Sequence, residues 1–401
     1  MRTTSGLAAI LLTLTILAGA CADSTDAGSA AAAVPDESAA EAPTADEPAQ
    51  QFECTNCFAD AASLHADLES IVADSVAPGA VVAVRTADGR DFVGSFGVAD
   101  LSAGTPMAID AVFGIGSVHK LFKWTVALRL IDGGTLGLDD LVNAHVERPE
   151  LPGVTIRDLL QHSAGLPDIP EVDGYMSDAM ADQTRVFTYD EMIDYLGDQR
   201  VADFAVGSDM RYSSFGPLIM NQVVEAATGR SMQHQLDSLV VEPLGLGATT
   251  PMGTQPDPPE LTAGYADPTT PNPFFPDAAA TQSISTGNGG ALHSNAVDLL
   301  TFTHAVFTDR AFLSEATFAQ VLAEPRSGGG MASGLGVLQF DDWVDIGVWG
   351  HAGYGIRSHS TTVLHQLSSG TTVLVLTNIN ADVDGYATNL AITRRVLERL
   401  D

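Results

Sequence analysis

The chain has 401 residues, is 45% apolar, and carries 51 acidic against 18 basic side chains, a formal net charge of −33. So acidic a surface repels nucleic acid and anionic lipid headgroups, which excludes both as first-choice partners. Once the N-terminal segments described next are set aside, about 340 residues remain, enough for one large or two-lobed domain, and no apolar run after residue 20 reaches the ~20 residues of a membrane-spanning helix.

Residues 1–20 read as an export signal. Arg2 is a minimal positive start, Gly6 to Gly19 is apolar but short, and Leu17-Ala18-Gly19-Ala20 puts small residues before Cys21. The run resembles a bacterial lipoprotein signal, with its leucine one residue further back than usual. Cys21 is therefore the expected lipidation site, and an ordinary secretory cleavage nearby is the alternative. Residues 21–53 read as a disordered tether: between Ala22 and Glu53 there are eight acids, no Lys or Arg, and few large apolar residues to bury. An exported domain over 54–401 would fold in an oxidising compartment, where Cys54-x-x-Cys57 is expected to close a small disulfide loop. A zinc site would need about four ligands and no second cysteine pair exists; no metal or cofactor is expected.

Leu64, Leu68, Ile71 and Val72 form one helical stripe. Gly79–Arg85 reads as a strand, Asp88-Gly89 as a hairpin turn and Phe92–Val98 as the returning strand. An apolar helix is expected from Ser117 to about Ile131, ending at Gly133-Gly134. Thr155 with Asp158 forms a capping pair, another helix starts at Thr188, and a further one opens after Met210-Arg211-Tyr212-Ser213-Ser214 and closes at Gly229. Pro251–Asn288 reads as a long loop, a type often functional. Helices follow over Asn295–Phe307 and Ser314–Leu322. Strands are expected at Leu335–Phe340, Val344–Trp349, Thr361–Gln366 and Thr371–Thr377, and a last helix over Asp384–Leu400. Strands at both ends with helices between predict an α+β fold: one antiparallel sheet built from both chain ends, flanked by helices, plus a mostly helical lobe, with a cleft where the two meet.

The chemistry is concentrated at Ser117-Val118-His119-Lys120. Positions i and i+3 share a helix face, so the Lys120 amine lies beside the Ser117 hydroxyl. A serine hydroxyl needs a base before it becomes a nucleophile, and burial lowers a lysine pKa toward that role. Only Lys120 and Lys123 are lysines in the whole chain, so this S-x-x-K is not a by-product of lysine abundance.

Several stretches in order resemble the serine β-lactamase-related family of class C β-lactamases, D-alanyl-D-alanine carboxypeptidases and related esterases, over most of residues 75 to 380. Ser117-Val118-His119-Lys120 is similar to its first motif. Leu159-Leu160-Gln161-His162-Ser163-Ala164-Gly165-Leu166 is similar to L-L-x-H-x-S-G-L, Tyr212-Ser213-Ser214 to Y-x-N, and Gly350-His351-Ala352-Gly353 to the H-x-G form of K-T-G. The resemblance implies a β-lactamase/transpeptidase-like fold and a serine hydrolase forming an acyl-enzyme on ester, β-lactam or D-Ala-peptide-like substrates. Ser117 would be the nucleophile, Lys120 and Tyr212 the proton carriers, and the N–H groups of Ser117 and Tyr354 the oxyanion hole. Ser214, His351 and Gly353 would contact substrate. Tyr212, with an ordinary pKa near 10, would be brought down by Lys120. His162 is expected to pack structurally, and helical phase gives His119 no role.

Two departures bear on the substrate. Ser214 stands where the family has asparagine, and Gly334–Asp342 carries no Lys or Arg but ends in Asp341-Asp342. An unpaired substrate carboxylate would be costly there. Esters are therefore expected to be favoured over peptides with a free carboxylate, unless Arg357, four residues past Gly353, folds over the cleft. The alternative to an enzyme is a non-catalytic penicillin-binding-type sensor on the same fold.

Overall fold

The computed structural model describes residues 52–54, 56–182, 185, 187–197, 204–252, 258, 260–266, 291–340, 347–354, 359–383 and 386–400. The expected signal, Cys21, most of the 251–288 loop, Asp341, Asp342 and Arg357 lie outside these residues. Among the described residues no helix is long and apolar enough to cross a membrane.

The organising element is a ten-stranded sheet. Along it the strands run Phe52–Glu53, Asp91–Asp100, Gly79–Arg85, Thr371–Thr377, Ser360–Gln366, Val348–Tyr354, Leu338–Phe340, Met331–Ser333 and Arg326–Gly328, with Thr105–Pro106 pairing off Asp91–Asp100. Every pairing is antiparallel, and the two chain ends meet where Val81 faces Leu376 and Ala83 faces Leu374.

Side chains alternate across a strand, and here both faces are covered. Ala80, Val82, Val84, Val373 and Val375 pack under the helices Ala61–Ala73 and Thr388–Leu400, with Leu64, Leu68, Ile71, Val72, Ile392 and Val396. Val81, Ala83, Leu374 and Leu376 join the larger core of the helical lobe. Two-sided burial explains why Gly79–Arg85 and Thr371–Thr377 read as nearly continuous apolar runs rather than as an apolar–polar alternation.

The helix His119–Asp132 runs through the middle of that lobe. All ten residues from His119 to Leu128 are buried. The helix is enclosed on every side, its polar His119, Lys120 and Lys123 included, and Phe122 stacks on Phe302 of the helix Ala296–Phe307 with centroids 3.8 Å apart. Helix boundaries follow local chemistry. Thr155 and Asp158 form a reciprocal capping box before Ile156–Leu160, as do Thr188 and Glu191 before Tyr189–Leu196, and Phe215–Thr228 ends on left-handed Gly229.

Several boundaries differ from the sequence reading. The strand expected over Leu335–Phe340 is formed only by Leu338–Phe340. Phe52–Glu53, assigned to the tether, pairs with Val93 and Gly94 at the sheet edge. Ser117 is not a helix cap but lies in a 3₁₀ turn, Gly116–Val118, with the α-helix starting at His119. Arg326–Gly328 and Met331–Ser333 form a hairpin where no strand was expected. The strand expected to end at Trp349 continues to Tyr354, since Gly350–Gly353 pair with Leu364–Thr361. The last helix begins at Thr388, whose N–H and hydroxyl both donate to the Ala381 carbonyl (2.8 Å each), and Tyr386–Ala387 just before it are strand. Cys54 and Cys57 are joined in a disulfide.

Candidate active site

Gly116 adopts φ +50°, a conformation costly for any residue with a Cβ. That bend lays the Ser117 turn against the strand Val348–Tyr354. A Cβ added to Gly116 would sit 2.5 Å from the Tyr354 nitrogen; one added to Gly353 would sit 2.1 Å from the Ile115 carbonyl oxygen and 2.9 Å from the Ser117 nitrogen. The two glycines thus let the Ser117 and Tyr354 amides lie on backbones in direct contact. His119 braces the turn from beneath, its Nδ1 donating to the Gly116 carbonyl at 2.7 Å, so it has the part that helical phase alone did not give it.

One helical turn on, Lys120 Nζ donates to Ser117 Oγ at 2.8 Å and makes a longer contact, 3.5 Å, to Ser214 Oγ. Lys120 is 1% exposed. Burial pushes its pKa down to about 8, and the Asp168 carboxylate opposes that shift. Lys123 is equally buried and is pushed to about 7, by burial first and by the charge of Lys120 second.

Tyr212 stands across from this pair. Its hydroxyl hydrogen-bonds with the Ser117 and Ser214 side chains, and Lys120 Nζ lies 5.0 Å from its ring centroid. The expected cationic lowering does not occur. Burial, and then the Asp168 charge, hold the phenol well above its ordinary pKa, although part of the residue still faces the cleft. Tyr212 is therefore a neutral O–H group, and of the two groups touching Ser117 Oγ it is the Lys120 amine whose pKa is brought toward neutrality.

His351 is buried on the strand Val348–Tyr354, its Nδ1 donating to the Ala352 carbonyl at 2.6 Å. Burial, reinforced by Lys120, lowers it to about 3. It is a neutral imidazole whose Nε2 has no hydrogen-bond partner among the described residues. His162, expected only to pack, does more. At φ +54° its carbonyl accepts the Arg211 N–H at 2.9 Å and its Nδ1 accepts the Ser213 N–H at 3.3 Å, while its ring lies 4.7 Å from that of Tyr212. It seats the tyrosine from both sides of the chain. Ser214, in the asparagine position, donates its N–H to Asp168 Oδ1 at 2.8 Å. Asp168 and Lys123 were given no role in the sequence reading, and His162 only a packing one. Asp168 is one of 51 acids, whereas the rarity of lysine was a signal that could have drawn Lys123 in.

A hydroxyl touching a desolvated amine, with a neutral phenol opposite and two backbone amides behind, is built to move a proton off an oxygen nucleophile and to hold negative charge as it develops on a carbonyl oxygen. That is the equipment of a serine hydrolase. Residues 65–396 match the description "Beta-lactamase", and the chain belongs to the β-lactamase family. It is 30% identical over 363 residues to the esterase EstB of Burkholderia gladioli, covering 80% of this chain and 91% of that one. It is 25% identical to penicillin-binding protein 4* of Bacillus subtilis, over 75% and 68% of the two chains. Among solved structures, the D-amino acid amidase of Ochrobactrum anthropi SV3 complexed with D-phenylalanine shares the fold, with a TM-score of 0.73 and 23% identity over 84% of this chain and 98% of that one.

Proposed function

We propose that this protein is an exported, lipid-anchored hydrolase that favours neutral esters and works through an acyl-enzyme on Ser117. The observation that carries the reading is the 2.8 Å contact between Ser117 Oγ and the buried Lys120 amine. With its pKa near 8, about a tenth of the Lys120 amine is free base at pH 7 and most of it at pH 9. The free amine takes the Ser117 proton as Oγ attacks the ester carbonyl. The Ser117 and Tyr354 N–H groups hold the oxyanion. The C–O bond to the alcohol then breaks, Tyr212 donates its proton to the departing oxygen, and Lys120 returns a proton to Tyr212. Water attacks the acyl-serine by the same route in reverse, giving the carboxylic acid and free Ser117. His351, a neutral buried imidazole, and Gly353 lie on the strand that carries the Tyr354 N–H.

The ester preference is supported by Ser214, which offers no side-chain amide, and by Gly334–Phe340, which carries no base to pair a substrate carboxylate. The likeness to an esterase over nearly its whole length points the same way. Export and the anchor are supported by the residues before Cys21, and the Cys54–Cys57 disulfide accords with an oxidising compartment.

The test is a fluorophosphonate probe, which adds its mass to a peptide containing Ser117 in the wild type and to none in Ser117→Ala. Labelling that survives the substitution sinks the assignment. kcat/KM for p-nitrophenyl acetate is expected to exceed that for diacetyl-Lys-D-Ala-D-Ala, and efficient release of D-alanine would reverse the preference. Intact mass from a membrane fraction should show a diacylglyceryl group on Cys21.

A further inference from the structure

The mechanism above leaves one carboxylate beside the site unused. Asp168 follows the segment that carries His162, and two stretches of chain are sewn together around it. Asp168 Oδ1 accepts the Ser214 N–H at 2.8 Å, and Ser213 Oγ donates to the Pro167 carbonyl at 2.6 Å. The Asp168 N–H donates to Glu171 Oε2 at 2.7 Å, and Glu171 in turn pairs with Arg211 at 2.6 Å. The residues on both sides of Tyr212 are thus fixed to the Pro167–Glu171 turn. Ser214, held through its N–H by Asp168, has its hydroxyl 3.5 Å from Lys120 Nζ.

We propose that Asp168 is a positioning residue: it seats the Tyr212–Ser214 turn and sets its negative charge toward the Lys120 amine. The inference rests on Lys120 being the base of the proposed reaction.

The charges around Lys120 make Asp168 the one that counts. On its own helix, His119 is held far below its ordinary pKa, mainly by burial and further by Lys123 and Lys120. From the neighbouring segments, His162 and His351 are held neutral by burial and by Lys120 itself, and Tyr212 is a neutral phenol. Lys123, held near 7 by burial and by Lys120, has lost most of its charge at the pH where Lys120 titrates. Glu171 is engaged by Arg211. Among the described residues Asp168 is left as the carboxylate that favours the ammonium form, since an opposite charge stabilises a charged neighbour. Without it, burial would carry the amine lower. The same carboxylate discourages ionisation of Tyr212, so one group keeps the lysine chargeable and the tyrosine protonated.

The experiment is the pH profile of kcat/KM for p-nitrophenyl acetate from pH 5 to 10 in the wild type, Asp168→Asn, Asp168→Ser, Asp168→Glu and Lys120→Ala, with thermal melts of each. Asparagine keeps an acceptor for the Ser214 N–H and removes only the charge. Its acid limb is expected to move down by at least half a pH unit, which raises activity at pH 6 about 3-fold relative to the plateau. Asp168→Ser, smaller and also neutral, gives the same displacement, and Asp168→Glu returns the limb toward the wild-type position. A lowered plateau with an unmoved limb in both neutral variants overturns the inference while leaving the base assignment standing. A limb that persists in the residual activity of Lys120→Ala shows that the base is another group, and both readings then fall.

Discussion

The sheet centre and the cleft bury their side chains to opposite ends. Between Gly79–Arg85 and Thr371–Thr377, the groups taken out of water are Val, Leu and Ala, packed on both faces. Such burial stabilises by roughly 25 cal/mol per Å² of apolar surface and asks nothing of the side chains beyond shape. In the elements around Ser117, burial falls instead on Lys120, Lys123, His119, His162 and His351. There it opposes charge, and the result is a set of groups whose ordinary pKa values have been moved. The same dry interior supplies stability in one place and reactivity in the other.

If that division holds, perturbing each region moves a different observable. The largest effect is expected in the cleft. Gly353→Ala pushes a Cβ onto the Ile115 carbonyl and the Ser117 nitrogen and displaces the two amides from each other. kcat should fall on the order of 10²–10³-fold, the cost of one lost oxyanion donor, while the melting temperature changes far less. A collapse of stability with kcat intact would break the contrast.

Next comes the sheet. Leu374 is fully buried, and Leu374→Ala should lower unfolding free energy by about 2–5 kcal/mol in a denaturant titration. kcat/KM per folded molecule should stay within about twofold.

The smallest expected effect sharpens the comparison, because it falls on a buried charge outside the reacting set. Lys123 is near 7 in the folded chain and about 10.4 when unfolded. A lysine with a depressed folded pKa penalises folding fully below that pKa, and the penalty is relieved as pH rises from about 7 to 10, where the unfolded chain alone still binds the proton. The wild type should therefore gain stability over that interval. Lys123→Met should be more stable at pH 7, by on the order of 1–3 kcal/mol, with a shallower rise because only Lys120 still contributes. Parallel curves for the two proteins would show that Lys123 is not the buried cation described here.

Much of this was readable in one dimension. Ser117 and Lys120 are three residues apart where a 3₁₀ turn runs into an α-helix, and i and i+3 share a face in either; the capping pair at Thr155 and the helix start at Thr188 are equally local. The sheet from both chain ends followed from the apolar runs near 80 and 374. What escaped needed three dimensions, or was masked by composition. Asp168 and Ser214 are 46 residues apart, and nothing local marks one acid among so many. The direction of the Tyr212 shift depends on how much water reaches it, which a nearby lysine in the sequence does not reveal. The hairpin around Gly329-Gly330 is different. Both glycines take positive φ, +61° and +78°, as a two-residue hairpin turn requires, so the signal was present. The three-residue strands beside it are too short to show an alternation.

The sheet's strand order also has a consequence for how the molecule is made. The Gly79 N–H donates to the Asn378 side chain across 299 positions of chain, and the first long hairpin finds its central neighbour only in Thr371–Thr377. Until those residues leave the ribosome, the outer edge of Gly79–Arg85 is a row of unpaired amides and carbonyls, open to pairing with another chain. Contacts of such long sequence separation form slowly. A product truncated before residue 371 would be left with that edge of Gly79–Arg85 unpaired.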